Sequence, residues 1–240
     1  MQDIPAIYQG QKKLLKDIKV SPFSRAYTFS DSVYEVIPYF FGMPLCLQAH
    51  LDRLQDSLDL SGIDADISVV ANEIHQLGQE LGQQDGYVYF QISRGVDEIR
   101  SHMHKEDLVA ERFGYVIATK FPTHSISAML CEDNRWNYCN IKSTSLLGNV
   151  LLMNKAKRLG CQEIVMQRDS FMTEAGASSV FYLDSRGIIR TSSLSENILP
   201  GITRAILIKA LSGSKFEVEE GKCHIKDFKS SPCIWISSST

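Results

Sequence analysis

The chain has 240 residues, 44% of them hydrophobic, and carries 25 basic against 28 acidic side chains for a formal charge of −3. That length allows one large domain or two small ones, and the apolar share is ample for a buried core. With no basic arm and no patch interleaving aromatics with arginine, nucleic acid is not an expected partner.

No apolar run reaches the roughly 18 residues of a bilayer span, and the first residues lack the charged-then-apolar pattern of a secretory signal. Six cysteines (46, 131, 139, 161, 223 and 233) form no CxxC pair, which points to reduced thiols in a cytoplasm rather than a disulfide framework. Cys139 and Cys161 fall in apolar patterns and read as small buried hydrophobes.

In chain order, residues 1–20 predict an opening hairpin. Val33, Glu35 and Ile37 alternate with Tyr34, Val36 and Pro38 as a strand does. Phe41–Pro44 reads as a turn before a short strand at Leu45–Leu47. Leucines at 51, 54, 58 and 60 predict a helix over His50–Leu60, closed by Gly62 in a left-handed cap. A second helix is expected from Ile67 to Leu81, ending at Gly82, followed by strands at Tyr87–Ser93 and Phe113–Thr119. The aperiodic stretch 119–125 reads as a linker between an N-terminal domain (1–118) and a C-terminal one (126–240).

Beyond it come a strand ending at Lys142 and a helix over Ser145–Leu159. That helix is expected to bury Leu146, Leu147, Val150 and Leu151 and to stop at Gly160. Strands are predicted at Glu163–Gln167 and Ser179–Leu183 with the loop RDSFMTEAGAS between them. Asp184–Gly187 then turns into a return strand, Ile188–Thr191, and Gly201-Ile202-Thr203 opens an apolar helix before a final β-like run, CIWI. The class is α/β (α+β), in two domains.

Common site motifs are missing: no Walker loop, G-x-G-x-x-G, H-E-x-x-H or G-x-S-x-G occurs. His102 and His104, followed by Glu106 and Asp107, have no third ligand at a matching spacing, so no metal is expected. Three features suit an anionic cofactor that works on nitrogen. A lysine that attacks a carbonyl wants a partly buried site, and Lys142 follows an apolar residue and precedes small hydroxylated ones. Glu174 sits among small residues that admit a planar ring, where a carboxylate can pair with a pyridinium. Gly201-Ile202-Thr203 offers backbone N–H groups, a hydroxyl and the positive end of a helix to a phosphate. Taken singly, these read as a surface lysine, a solvated glutamate and an ordinary N-cap.

Together, SVYEVI, HLDRL, NIKSTSLLGNVL, TEAGASSVFYL and LPGITR resemble the fold-type IV pyridoxal-phosphate enzymes, the aminotransferase class IV. Among them the resemblance is nearest to the D-amino-acid transaminases, and it covers about residues 20–240. It implies a smaller N-terminal and a larger C-terminal α/β domain with pyridoxal 5′-phosphate in the cleft between them. Lys142 would form the internal aldimine and move the proton between Cα and C4′. Glu174 would bind the pyridine nitrogen, and Arg53 would hold the phosphate. Ile202, Thr203, Ser238 and Ser239 match the remaining phosphate groups. Arg135 matches a position near the cofactor, with no role derived for it.

On the substrate side, Tyr34, Arg100 and His102 match the tyrosine, arginine and histidine that bind the α-carboxylate in D-amino-acid transaminases. Such a donor cluster fixes which face of Cα meets Lys142. The expected reaction moves an amino group from a D-amino acid such as D-alanine to a 2-oxo acid. Alternatives on the same scaffold are an aminodeoxychorismate lyase, a branched-chain aminotransferase-like enzyme and a non-catalytic relative. A homodimer is also implied, the loop after Arg94 of one subunit closing the other's cleft. Two departures stand out: Ser178-Ser179 replaces the usual serine-asparagine pair, and Ser239 replaces a common threonine. Family members usually run some tens of residues past Thr240, and without those last strands a sheet edge and apolar surface would be exposed.

Overall fold

The computed structural model describes residues 3–121 and 124–240. Residues 122 and 123 of the expected linker, and 1 and 2 of the expected opening hairpin, lie outside the described residues. Two compact units result, one from residues 1–122 with 141–145 and Thr240, the other from 123–140 and 146–239.

The first unit is built on strand alternation. β1 (Pro5–Tyr8) and β2 (Gln11–Leu14) form the expected hairpin; β3 (Ser32–Phe40), β4 (Met43–Pro44), β5 (Gly86–Ser93) and β6 (Glu111–Ala118) complete an antiparallel sheet in the order β2-β1-β6-β5-β3-β4. A short helix, α1 (Arg25–Phe29), precedes β3. Helix α2 (Leu47–Ser61) follows the predicted leucine periodicity and stops at Gly62 with φ +61°, and α3 (Ile67–Gln79) forms where the second helix was expected, two residues short of Leu81. The predicted strand at Leu45–Leu47 is absent. Phe41 and Gly42 both take positive φ, so the turn is only two residues long. Met43–Pro44 already pairs with Phe40 and Tyr39, and Leu47 begins the helix.

Residues of β3 alternate between two environments. Val33, Glu35, Ile37 and Tyr39 are buried, and the apolar three join a core with Leu54, Leu58, Ile74, Leu77, Phe90 and Ile92. Tyr34 belongs to the opposite face, where it stacks on Tyr89 (5.5 Å between centroids), which stacks on Tyr115 (5.0 Å). The expected strand ending at Lys142 is also corrected. Residues 141–145 carry no ladder of their own and attach to the start of β3 through one bridge, Val33 to Ser143. Tyr34 N donates to Lys142 O (2.9 Å), and Thr144 N donates to Ser32 O (3.0 Å). Ile141 packs against the core of the first unit.

The second unit holds two sheets. β7 (Ala128–Glu132), β8 (Glu163–Arg168) and β9 (Phe171–Ala175) form one; β10 (Ser179–Leu183), β11 (Ile189–Ser192), β12 (Val218–Gly221) and β13 (Ile234–Ser237) form the other in the order β12-β11-β10-β13. Helices α4 (Leu147–Arg158) and α5 (Ile202–Leu211) lie on the connections of the parallel pairs β7–β8 and β11–β12. A third, α6 (Ile225–Ser230), leads towards β13.

Two expectations fail in this unit. The loop RDSFMTEAGAS contains β9, because Asp169 and Ser170, at φ +52° and +67°, make a tight hairpin without glycine. Helix α4 does not bury Leu146, Leu147, Val150 and Leu151; Leu147 is 70% and Leu151 61% exposed. Its inward line is Asn149, Leu152, Met153 and Ala156. Asn149 Nδ2 donates to Gly176 O (2.8 Å), and the others pack on Ile164 and Met166. Both sides of α4 carry apolar residues, so periodicity alone did not select the buried one. β13 ends its sheet's order, and an apolar pocket of about 240 Å³ opens beside it, lined by Phe181, Ile189, Leu207, Leu211, Phe216 and Trp235.

Candidate active site

In the first unit, Lys142 is half-buried and its Nζ lies 4.3 Å from the centroid of the Tyr34 ring. An ammonium over an aromatic face is held by the ring quadrupole. The backbone pairing of residues 141–145 to β3 sets this position. The two residues therefore meet because a loop is stitched to a strand edge.

Beneath the other face of β3, Glu35 is fully buried. It accepts from Arg53 Nε (2.7 Å) and Nη2 (2.9 Å), and from His50 Nδ1 (2.7 Å). His50 and Arg53 are three residues apart on α2, so they share a helix face. Burial alone would raise the Glu35 carboxyl. The hydrogen bonds from His50 and Arg53, with the charges of Arg53 and Lys142, hold it at about 2. One edge of the Arg53 fork is thus fixed by a carboxylate inside the protein.

Arg100 and His102 are exposed, in a stretch without regular structure, and both meet Phe29. The Arg100 guanidinium is 4.8 Å and the His102 ring 5.3 Å from the centroid of that ring.

In the second unit, Glu174 is a strand residue, nine-tenths buried on β9, and not the loop residue expected from its small neighbours. Those neighbours serve packing: a Cβ on Gly176 would lie 2.6 Å from both Glu163 Oε1 and Met153 Sδ. Glu174 Oε1 accepts from Arg135 Nη1 (2.6 Å) and Oε2 from Leu199 N (3.1 Å). Arg135 is held in turn by Asp133, through Nε and Nη2 at 2.9 Å each, and by Asn197 O at 3.2 Å. Thr173 Oγ1 donates to Asp133 (2.9 Å). Burial pushes the Glu174 carboxyl above the usual carboxylate range, and the charge and hydrogen bond of Arg135 offset only part of that. At Asp133 burial acts the same way, but Arg135 outweighs it and the carboxyl is lowered.

Gly201 precedes α5, and a Cβ there would lie 2.6 Å from Ser179 Oγ. Thr203 Oγ1 donates to Ser238 O (2.9 Å), Ile202 is buried and Ser239 is half-buried.

These groups suit pyridoxal phosphate chemically. Lys142 supplies an amine, and Glu174 is a buried carboxylate whose two donors leave acceptor capacity for a pyridinium N–H. A helix N-terminus with a hydroxyl is an anion site. Glu35 and His50 beside Arg53, and Asp133 beside Arg135, were not among the expected residues. A glutamate at an inward position of an apolar strand was the available signal for Glu35, and an acidic residue two before Arg135 the signal for Asp133.

The chain belongs to the amino-transferase class IV family, which it matches over residues 32–240; it is a pyridoxal-phosphate-dependent transaminase. It is 32% identical over 235 residues to D-alanine aminotransferase of Listeria monocytogenes, covering 94% of this chain and 80% of that protein. It is 29% identical over 243 residues to that of Bacillus licheniformis, covering 98% and 84%. Among solved structures, the branched-chain amino acid aminotransferase of Escherichia coli aligns with a TM-score of 0.87 at 19% identity, over 99% of this chain and 84% of that one. That of Thermoproteus uzoniensis, with norvaline, gives 0.88 at 17%, over 98% and 84%. These structural likenesses establish the fold.

Proposed function

We propose that this transaminase moves the amino group of a D-amino acid, D-alanine foremost, to a 2-oxo acid, with Lys142 as its catalytic residue. The observation that carries the reading is Lys142 Nζ fixed 4.3 Å from the Tyr34 ring, in a chain similar to the D-alanine aminotransferases of Listeria monocytogenes and Bacillus licheniformis.

When bound, pyridoxal phosphate supplies an electron sink for charge developed at the amino acid's Cα. Lys142 would be its attachment point and would move the proton between the amino acid's Cα and the cofactor's C4′. Glu174, kept in place by Arg135, accepts from the pyridine nitrogen. Arg53, oriented by Glu35, binds phosphate, as do the backbone at Ile202 and the groups of Thr203, Ser238 and Ser239. Tyr34, Arg100 and His102 bind the substrate carboxylate and so select the hand of the amino acid. A homodimer completes the reading. Its support is the line of exposed apolar residues that α4 and its end carry, Leu147, Val150, Leu151 and Leu159, since exposed apolar surface of this kind marks interfaces.

The test supplies cofactor and measures pyruvate from D-alanine with 2-oxoglutarate. D-alanine should react faster than L-alanine, and borohydride should fix the cofactor to Lys142. Preference for L-alanine would overturn the stereochemical assignment. Turnover of aminodeoxychorismate alone would make the chain a lyase.

A further inference from the structure

Arg25 is the first residue of a five-residue helix in a stretch where the sequence suggested nothing, yet it is only 4% exposed. A buried guanidinium must find partners for its donors. Nε donates to Asp31 Oδ2 (2.8 Å), Nη1 to Ser101 O (2.8 Å) and Nη2 to His102 O (3.3 Å), with Asp97 Oδ2 3.6 Å from Nη1. Two consecutive carbonyls of the 97–109 stretch are thus gripped by one rigid fork.

The same guanidinium lies 4.6 Å from the centroid of the Phe29 ring, on which Arg100 and His102 also rest. Asp31 is clamped from the other side by Arg94, whose Nη1 and Nη2 reach Gly62 O (2.6 Å) and Ser61 O (2.7 Å) at the end of α2. Residues 97–109 have no strand or helix, and Ile99, Met103 and Val109 are exposed. Their backbone at Ser101 and His102 is therefore placed by the Arg25 fork, and the side chains of Arg100 and His102 by Phe29.

We infer that Arg25 is a positioning residue for carboxylate recognition: with Phe29 it fixes the segment that presents Arg100 and His102. The inference rests on the carboxylate role proposed for those two residues.

The test compares Arg25→Lys, which keeps the charge but not the fork, with Phe29→Leu and Arg100→Ala, all with cofactor bound. Arg25→Lys should raise KM for D-alanine about tenfold, the effect of weakening one charged hydrogen bond, with kcat within about twofold. The cofactor's spectrum and affinity should not move, and amide exchange should quicken in peptides spanning 98–107. In Arg100→Ala, adding Arg25→Lys should raise KM by less than it does in wild type, because only the share that acts through His102 is left.

Equal losses of cofactor affinity and kcat would make Arg25 a fold residue only. Fully additive KM effects, or a KM unchanged by Arg25→Lys while Arg100→Ala raises it, would overturn the positioning role alone. If Arg100→Ala itself leaves KM unchanged, the carboxylate reading fails and takes the inference with it. Phe29→Leu keeps the Arg25 bonds, so it should raise KM without quickening exchange at Ser101 and His102.

Discussion

Two buried carboxylates, Glu35 and Glu174, are both ion-paired and shift in opposite directions. Glu35 has two cationic or donor residues on it and is held at about 2. Glu174 has one guanidinium, shared with Asp133, and is raised. A depressed carboxyl contributes stability that is fully present above its unfolded value, near 4.5, and is lost as pH falls towards its folded value of about 2. Stability from Glu35 should therefore fade between pH 4.5 and 2, by up to roughly 3 kcal/mol. In urea unfolding at stepped pH, Glu35→Gln should flatten that slope, and an unaltered slope would remove Glu35 as its source. Arg135→Ala leaves Asp133 and Glu174 buried without their cation and should cost about 3–5 kcal/mol in the same assay. Loss below about 1 kcal/mol would mean solvent or another cation replaces it. The sequence revealed Glu174 by its neighbours but not its partners. Arg135 and Glu174 are 39 residues apart, and only the β7-β8-β9 sheet makes them meet.

At the scale of elements, strands and helices with one buried side were legible: β3, β5, α2 and α3 all follow their apolar period. The failures were local or two-sided. Asp169-Ser170 turns without a glycine signal, which hid β9, and α4 is apolar on both sides, which misplaced its buried face. Residues 141–145 look like a strand by alternation, but their partner is the start of β3, more than a hundred positions earlier. The β9–β10 connection gives a direct check. Gly176→Ala would force a methyl against Glu163 and Met153, and it should lower stability by about 1–3 kcal/mol. A thermal midpoint within a degree of wild type would show that Met153 simply swings aside.

For the whole molecule, the outward line of α4 is the feature that demands company. Leu147 and Leu151 are one helical turn apart and expose more than half of their surface. Replacing both with lysine removes no contact from the core around Ala156, Ile164 and Met166, yet it places two charges where a partner subunit would bury them. Light scattering should then report half the wild-type mass at an unchanged thermal transition, or a lower one if assembly supports the fold. Wild-type protein that already runs as a monomer, at the concentrations used for activity, would refute the dimer.

The alternation of β3 has a consequence for engineering. Tyr34 and Glu35 are neighbours in the chain yet serve opposite faces of one sheet, one beside Lys142 and the other beneath Arg53. Inserting or deleting a single residue between Asp31 and Tyr34 would exchange their faces: an insertion sets the phenol against Arg53, and a deletion sets the carboxylate beside Lys142. Both neighbourhoods would fail together, and no point substitution could repair them. Recombination libraries built on this scaffold should therefore keep the length from Arg25 to Phe40 constant and place their crossovers outside it.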